Sequence, residues 1–461
     1  MVVSHSPEQV LKLLVESLKE SVLTDLETLA EVRSDKSGKT SSSNPICVVE
    51  ARSTEDVVQV MRIASLTHTP VITRGGGSGL AGGAIGSAGE IVLSLKKMDQ
   101  ILEISVANRW ALVQAGVINQ DLNWAAQKLG LWFAPDPASR IWSTVGGNIA
   151  TNAGGLLCAK YGVTKEAVRQ LTVVLADGQV LEIGHETVKG VTGYDLVSLF
   201  VGSEGTLGVI TEARVALKPL DPNPVWTISA STADITIAGD AVRETLRHGM
   251  VPSVFELIDQ RCSRYIASHL GLEIEPNDGN RLIAQTDGPG AESFANEIAK
   301  IWKNLGLHVQ LETGREDLLN FRRAMLPALN AHGNVLIEDV AVPISELSKM
   351  LVAIREIEIE FDLEIPTVAH AGDGNLHPNF IYAGDEVPPR VWQAAEAIFR
   401  TAISLGGTLT GEHGVGLLKR QWLMDELGKS QWQLQWGIKK LFDPNNLLNP
   451  GKVFDPKHLV D

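Results

Sequence analysis

Two short stretches combine residue types able to do chemistry at a defined spacing: HAGDGNLH over residues 370–377 and GEHGVG over 411–416. In the first, Asp373-Gly374 is a strong signal for a two-residue hairpin turn. A turn there sets His370 opposite His377 on one face of the hairpin, with Cβ atoms about 4.5–5.5 Å apart. Two imidazoles so placed can grip one metal ion, although paired histidines near a hairpin also occur without one. The second stretch adds the carboxylate of Glu412. Neighbours in an extended strand point to opposite sides, so Glu412 completes a His/His/Glu site while His413 faces elsewhere. Nitrogen and oxygen ligands without a thiolate suit zinc, manganese or iron, and zinc is the first choice.

A different chemistry is written in TRGGGSGLAGGA, residues 73–84, which contains a formal GxGxxG at Gly77, Gly79 and Gly82. A Rossmann phosphate loop must end a strand and open a helix, because the helix N-terminus carries the pyrophosphate. Here the next apolar strand, IVLSL at 91–95, follows after only AIGSAGE and leaves no room for that helix. The Rossmann reading therefore fails. Glycines so dense still favour positive φ and close approach, which lets successive backbone N–H groups form an anion-binding nest. Two more stretches repeat the theme: PDPASRIWSTVGGNIATNAGGLLCAKYG (135–162), nearly free of charge, and VGSEGTLGVIT (201–211). Three such loops in one αβ region suggest a ligand threaded along its length.

Taken together, RGGGSGLAGGA, PDPAS, TVGGNIATNAGG, GSEGTLGVIT, HAGDGNLHP, GEHGVG and NPGK resemble the FAD-linked D-2-hydroxyacid dehydrogenases of the vanillyl-alcohol oxidase/PCMH superfamily. The resemblance runs from about residue 45 to 455 in the family's order. It implies an α+β chain: a two-subdomain PCMH-type FAD-binding domain, then an α/β FAD-linked oxidase C-terminal domain that caps the substrate.

Carried over residue by residue, the resemblance makes Arg74, Gly75, Gly76, Gly77, Ser78 and Gly79 the pyrophosphate loop. Pro135, Asp136, Ser139, Gly146, Gly147, Asn148, Asn152 and Gly155 would line more of the FAD, with Gly205 and Ile210 at its adenine or flavin end and Asn449 near the flavin. No histidine stands where some relatives attach the flavin, so the FAD is expected to be non-covalent. His370, His377 and Glu412 would bind the metal. His413 would be the base, Arg322 in NFRRAMLPAL the cation for the substrate carboxylate, and Asn379 a further substrate contact. The implied reaction is metal-assisted deprotonation of a 2-hydroxyacid with hydride transfer to flavin N5. In the hydroxyglutarate branch a lysine that reads a second carboxylate precedes the strand written here as LIEDVAVP; this chain has Ile337 and Glu338. D-lactate or glycolate is therefore favoured, with D-2-hydroxyglutarate the alternative.

The elements that must carry these residues can be read from periodicity. STEDVVQVMRIASLTH (53–68) has a capping arrangement, Ser53 and Asp56, before a helical apolar stripe. PVITR, IVLSL and ALVQAGV read as strands, DLNWAAQKLG as a helix closed by Gly130, and TVVLADGQVLEI as a hairpin turning at Asp177-Gly178. Three prolines in LKPLDPNPV (217–225) mark a boundary, dividing the chain into a helix and linker (1–44), the FAD-binding domain (45–220) and the substrate and metal domain (221–457).

The 461 residues carry a net charge of −15, which disfavours nucleic acid. Three scattered cysteines suit neither a disulfide framework nor an iron–sulfur cluster. The N-terminal stretch reads as a surface helix and no run approaches the ~20 apolar residues of a membrane span. A cytoplasmic location is expected, with peripheral membrane docking left open. Electrons would leave to a quinone, cytochrome or electron-transfer protein, with a homodimer, or a complex with an iron–sulfur subunit in which this chain is inactive alone, as the other arrangements to weigh.

Overall fold

The computed structural model describes residues 5–273 and 279–458, in two compact units. The first comprises residues up to 153, Val163–Leu220 and the segment from His413 onward; the second comprises Gly154–Gly162 and Asp221–Glu412. Residues 1–4, part of the expected N-terminal helix, lie outside the described residues. Among the described residues no helix is long and apolar enough to cross a membrane.

The described residues of the first unit form the strands β1 (Val22–Leu23), β2 (Cys47–Glu50), β3 (Val71–Arg74), β4 (Ile91–Ser94), β5 (Ile101–Ser105), β6 (Trp110–Gln114), β7 (Leu131–Trp132), β8 (Val168–Val174), β9 (Val180–Gly184), β10 (Val209–Ala216) and β11 (Lys218–Pro219). They form a four-stranded sheet, β1-β2-β4-β3, and an antiparallel five-stranded sheet, β5-β6-β10-β8-β9, with β7 and β11 as a separate pair. β3 and β4 are parallel neighbours. Parallel neighbours usually need a helical crossover. Here residues 75–90 make the connection as a glycine-rich loop without a helix, as the rejection of the Rossmann pattern requires.

The helix Thr54–Thr67 forms as its pattern predicts. The Ser53 hydroxyl accepts from Asp56 N at 3.2 Å, and the Asp56 carboxylate accepts from Arg52 N at 2.8 Å, one residue earlier than a strict capping box. It buries Val57, Val60, Met61 and Ala64 in one core with Val10, Leu14, Ile91 and Leu93. Each such full burial of a valine or larger aliphatic contributes about 1.5–3 kcal/mol. A second core, on the five-stranded sheet, contains Val113, Phe133, Ile149, Leu171, Phe200 and Val215. The β8–β9 hairpin forms, but Val174 pairs with Val180 and Leu175 N donates to Gln179 O. The turn thus spans three residues, 176–178, with Gly178 at φ +83° taking the left-handed place such turns need.

The second unit adds β12 (Trp226–Thr232), β13 (Val254–Ile258), β14 (Asn280–Thr286), β15 (His308–Thr313), β16 (Asn334–Ile337), β17 (Val340–Ala341), β18 (Thr367–His370) and β19 (Asn375–Tyr382). Their order is β15-β12-β14-β13-β18-β19-β16, with β17 also on β19. β13, VFELI, is buried at every position. Its core joins Val254 and Ile258 to Ile266, Ile283, Phe321 and Val368.

The histidine hairpin differs in register from the expectation. Val368 pairs with His377 and His370 with Asn375, so the turn takes four residues, 371–374, closed by Asp373 N and Gly374 N on His370 O. Gly374 sits at φ +80°, where a Cβ would lie 2.2 Å from Val342 O, so this end of the turn requires glycine. The slip is two residues, and a strand repeats its faces every two. His370 and His377 therefore still share a face, now diagonally, with ring centroids 5.1 Å apart.

Candidate active site

In the first unit the glycine-rich loop is held from behind. Arg74 is buried and turns under the loop, its Nη1 donating to Ser34 O at 2.9 Å and Ala84 O at 2.8 Å. Gly77, at φ +68°, lies on that guanidinium, so any side chain would strike it. Gly75 and Gly76 press on Thr144 and the Trp142 carbonyl, where a Cβ would come within 2.4 and 2.3 Å. Ser78 and Gly79 are half-buried on the same loop. Thr144 caps the helix Val145–Thr151 by accepting from Gly147 N, and Gly146 packs on Ala115. Pro135 O accepts from Asn119 Nδ2, with Asp136 and Ser139 half-buried just beyond; Asn152 ends the helix at φ +51° and accepts from Lys165 N. Ile210 differs in kind: its side chain belongs to the apolar core.

Three further motifs meet that loop within the first unit. Asn449, 2% exposed at φ +48°, donates through Nδ2 to Gly83 O and Glu204 O, and Gly205 lies beside it. Lys452 Nζ donates to Ile85 O at 3.0 Å. Glu204 was not singled out in the sequence. Its two oxygens accept from Val415 N at 2.7 Å and Gly416 N at 2.9 Å, fixing the backbone just after His413. Burial pushes its carboxyl up to about 7, against the pull of those two amides and of Lys419. Gly414 abuts Glu204 and Gly416 abuts Ala81 O, which accounts for the last two glycines of GEHGVG.

The residues here fit a large polar ligand. Thr73 Oγ1, Ser143 Oγ, Asn148 Nδ2 and Asn449 Oδ1 are buried without a hydrogen-bond partner among the described residues. Buried polar atoms are ordinarily satisfied. Orphans clustered around side-chain-free loops are what an FAD with its many polar groups would satisfy.

The second unit brings together His370, His377 and Glu412. Their nearest ligand atoms lie within 4.8 Å of one another, His377 Nε2 being 3.1 Å and His370 Nε2 3.6 Å from Glu412 Oε1. Gly154 makes room: a Cβ there would stand 2.5 Å from Glu412 Oε2. Nearby, Gly155 N donates to Cys158 Sγ. Residues 411–413 form a bend and not a strand, so the alternation expected of Glu412 and His413 does not govern them. The division between units falls between these two residues.

Two acids absent from the sequence reading organise this cluster. Glu256, fully buried in β13, stands opposite His370 in the sheet register and accepts from its Nδ1 at 2.6 Å. Its other oxygen accepts from Arg322 Nε at 2.7 Å. Arg322 is thus a buried, ion-paired residue of the helix Glu316–Arg323 and not a solvated one. Asp339, equally buried, accepts from Asn375 Nδ2, Thr410 Oγ1 and Glu412 N, and so holds the 410–412 segment. Asn379 is fully buried, with Nδ2 donating to Pro366 O and His377 O and Oδ1 without a partner among the described residues. The available signal for both missed acids was an acidic residue inside an apolar run, in VFELI and LIEDVAV.

Burial opposes charge on His370, yet Glu256 and Glu412 on its two nitrogens drive its imidazole well above the ordinary range. Burial alone would raise Glu412, but the two histidines hold it well below the carboxylate range. With Nδ1 given to Glu256, His370 Nε2 faces the Glu412 carboxylate, and either a proton on Nε2 or a cation between the two reconciles the contact. The donor set and its spacing therefore fit a divalent metal.

Comparison with known proteins is consistent with both halves. Residues 45–184 match the FAD binding domain family, and residues 221–453 match the family described as FAD linked oxidases, C-terminal domain. The chain is 40% identical over 423 residues to glycolate oxidase subunit GlcD of Bacillus subtilis, covering 89% of each. It is 34% identical over 434 residues to D-lactate dehydrogenase of Anaerostipes hadrus, covering 89% of this chain and 90% of that one. In fold it resembles p-cresol methylhydroxylase, solved with substrate bound, at TM-score 0.76 and 19% identity, covering 98% of this chain and 97% of that one. The expected PCMH-type architecture is thereby met, and with relatives aligned along nearly nine-tenths of its length this chain belongs to the FAD-linked oxidases.

Proposed function

We propose that the protein oxidises a small D-2-hydroxyacid carrying one carboxylate, D-lactate or glycolate, to the 2-oxoacid. The observation that carries this reading is the buried cluster of His370, His377 and Glu412 joined through Glu256 to Arg322. FAD, held non-covalently by the loops of the first unit, would supply the two-electron acceptor. A divalent metal on His370, His377 and Glu412, zinc by preference with manganese or iron as the alternatives, would supply a Lewis acid for the substrate hydroxyl.

The chain's own residues do the remainder. Arg322 binds the substrate carboxylate, for which a planar guanidinium is suited. His413 takes the hydroxyl proton, a role that asks for an imidazole titrating near neutrality. Glu204 fixes the backbone that carries His413, and Asp339 does so for Glu412. On the family resemblance Ile337 and Glu338 stand in place of the hydroxyglutarate branch's lysine, and Glu338 is 1% exposed. A buried acid at that place disfavours a second substrate carboxylate.

Anaerobic addition of D-lactate, L-lactate, glycolate and D-2-hydroxyglutarate to the purified flavoprotein, before and after chelation, tests the proposal. Bleaching by D-lactate or glycolate that chelation abolishes is expected. Bleaching by D-2-hydroxyglutarate alone would reassign the substrate, and chelator-insensitive bleaching would remove the metal from the reaction. A second reading is favoured by the name of the Bacillus subtilis relative, a subunit: the chain would be the FAD-bearing part of a complex, inactive without its iron–sulfur partner. Turnover of the isolated chain with an artificial dye would exclude that reading.

A further inference from the structure

We infer that Glu256 is a positioning residue that couples the metal site to the anion-binding arginine, so that metal and substrate carboxylate reinforce each other's binding. This inference rests on the function proposed above.

Glu256 is the one acid in an otherwise apolar strand and is fully buried. A carboxylate so placed is costly unless each oxygen is paired. Here each oxygen has one partner, and the partners belong to the two halves of the proposed chemistry. Oε1 takes His370 Nδ1 at 2.6 Å and Oε2 takes Arg322 Nε at 2.7 Å. The first bond is built by the sheet, since Glu256 and His370 are directly opposed in the β13–β18 register. The second is built by the helix Glu316–Arg323, whose Phe321 packs in the same core as Val254 and Ile258 of β13.

A histidine ligand with its far nitrogen bonded to a carboxylate is fixed in tautomer and orientation and is a stronger donor to its metal. Arg322 draws on the same negative charge. When an anion engages Arg322, less of the arginine's charge compensates Glu256, and more of the carboxylate's field falls on His370. Metal binding then tightens. By linkage, metal must tighten anion binding by the same factor.

The test is a zinc titration of the FAD-loaded, metal-stripped protein against a chromophoric chelator, with and without propionate as an anion lacking the hydroxyl. In the wild type propionate should strengthen zinc binding. Glu256→Gln should weaken zinc binding by about 10–100-fold, the usual effect of losing such a partner, and should abolish the propionate effect. Arg322→Met should also abolish the propionate effect without weakening zinc, because it removes a cation. Wild-type zinc affinity in Glu256→Gln, or zinc loss in Arg322→Met as large as in Glu256→Gln, would overturn the coupling while leaving the metal site intact. Wild-type protein that takes up no zinc, manganese or iron would overturn the metal reading itself, and the coupling with it. If Glu256→Gln does not fold, the wild type and Arg322→Met with and without propionate still decide.

Discussion

Around the glycine-rich loop of the first unit, ligand-facing character comes from what side chains leave out, whereas around the histidine hairpin of the second it comes from charges pressed into an apolar sheet. Gly75, Gly76 and Gly77 allow contacts that any Cβ would forbid, and the charged side chains there, Arg74 and Lys452, face the loop's own carbonyls. In the second unit Glu256, Asp339, His370, His377 and Arg322 are all less than a tenth exposed; Glu256 pairs with both His370 and Arg322, His377 with Glu412, and Asp339 with Asn375. Backbone amides suit a ligand that must be held in one pose through many polar contacts. Paired buried charges suit a site where a small change of charge must be felt strongly, because the local dielectric is low.

The contrast can be broken most sharply at His413. His413→Ala should slow flavin reduction by about 10²–10⁴-fold, the usual contribution of a general base, while the flavin spectrum and zinc content stay as in the wild type. Stopped-flow reduction reads this; loss of flavin instead would make His413 part of the binding scaffold. Gly416→Ala attacks the other side of the comparison. Gly416 has φ +49° and a Cβ would sit 2.1 Å from Ala81 O. Strain and overlap together should cost about 3 kcal/mol or more, seen as a lower melting temperature and weaker FAD retention, with zinc affinity nearly unchanged.

The third and smallest expected effect concerns Glu204, the buried carboxyl of the first unit. Its folded pKa of about 7 stands above the ordinary carboxyl value of 4.5, so the folded state holds this proton more tightly than the unfolded chain does. The associated stability is complete below pH 4.5 and is lost as pH rises through 7, by about 3 kcal/mol at most. Glu204→Gln should flatten the fall in stability across that window. Denaturant unfolding at pH 5 and pH 8 checks it, and an unchanged slope would mean that other groups set the dependence.

How much could be read in advance follows the same contrast. Glycine density is local, so TRGGGSGLAGGA and GSEGTLGVIT announced their loops without any knowledge of the fold. The histidine pair was also legible, because a register error of two residues returns side chains to the same face; an error of one would have separated His370 from His377. What stayed hidden were the partners. Glu256 and His370 are 114 residues apart, and Glu204 and Gly416 are 212 apart. Nothing in local spacing links them. An acid in the middle of VFELI is visible as an anomaly, but which base it meets is decided by the strand order β13-β18, a long-range pairing. Arg322 looked like a candidate cation, while its commitment to Glu256 required the helix to be seen against that strand.

The staples from Asn449 and Lys452 have a consequence in time. They close on Gly83 O and Ile85 O, partners that precede them by 366 and 367 residues. On the ribosome the glycine-rich loop emerges early and must wait for nearly the whole chain before these bonds can form. At about 5–20 residues per second that delay is on the order of tens of seconds. The second unit, whose strands lie between, is exposed in full before the first can be completed. Nascent chains stalled before Asn449 should therefore protect the histidine hairpin from protease before they protect the loop that precedes it in sequence.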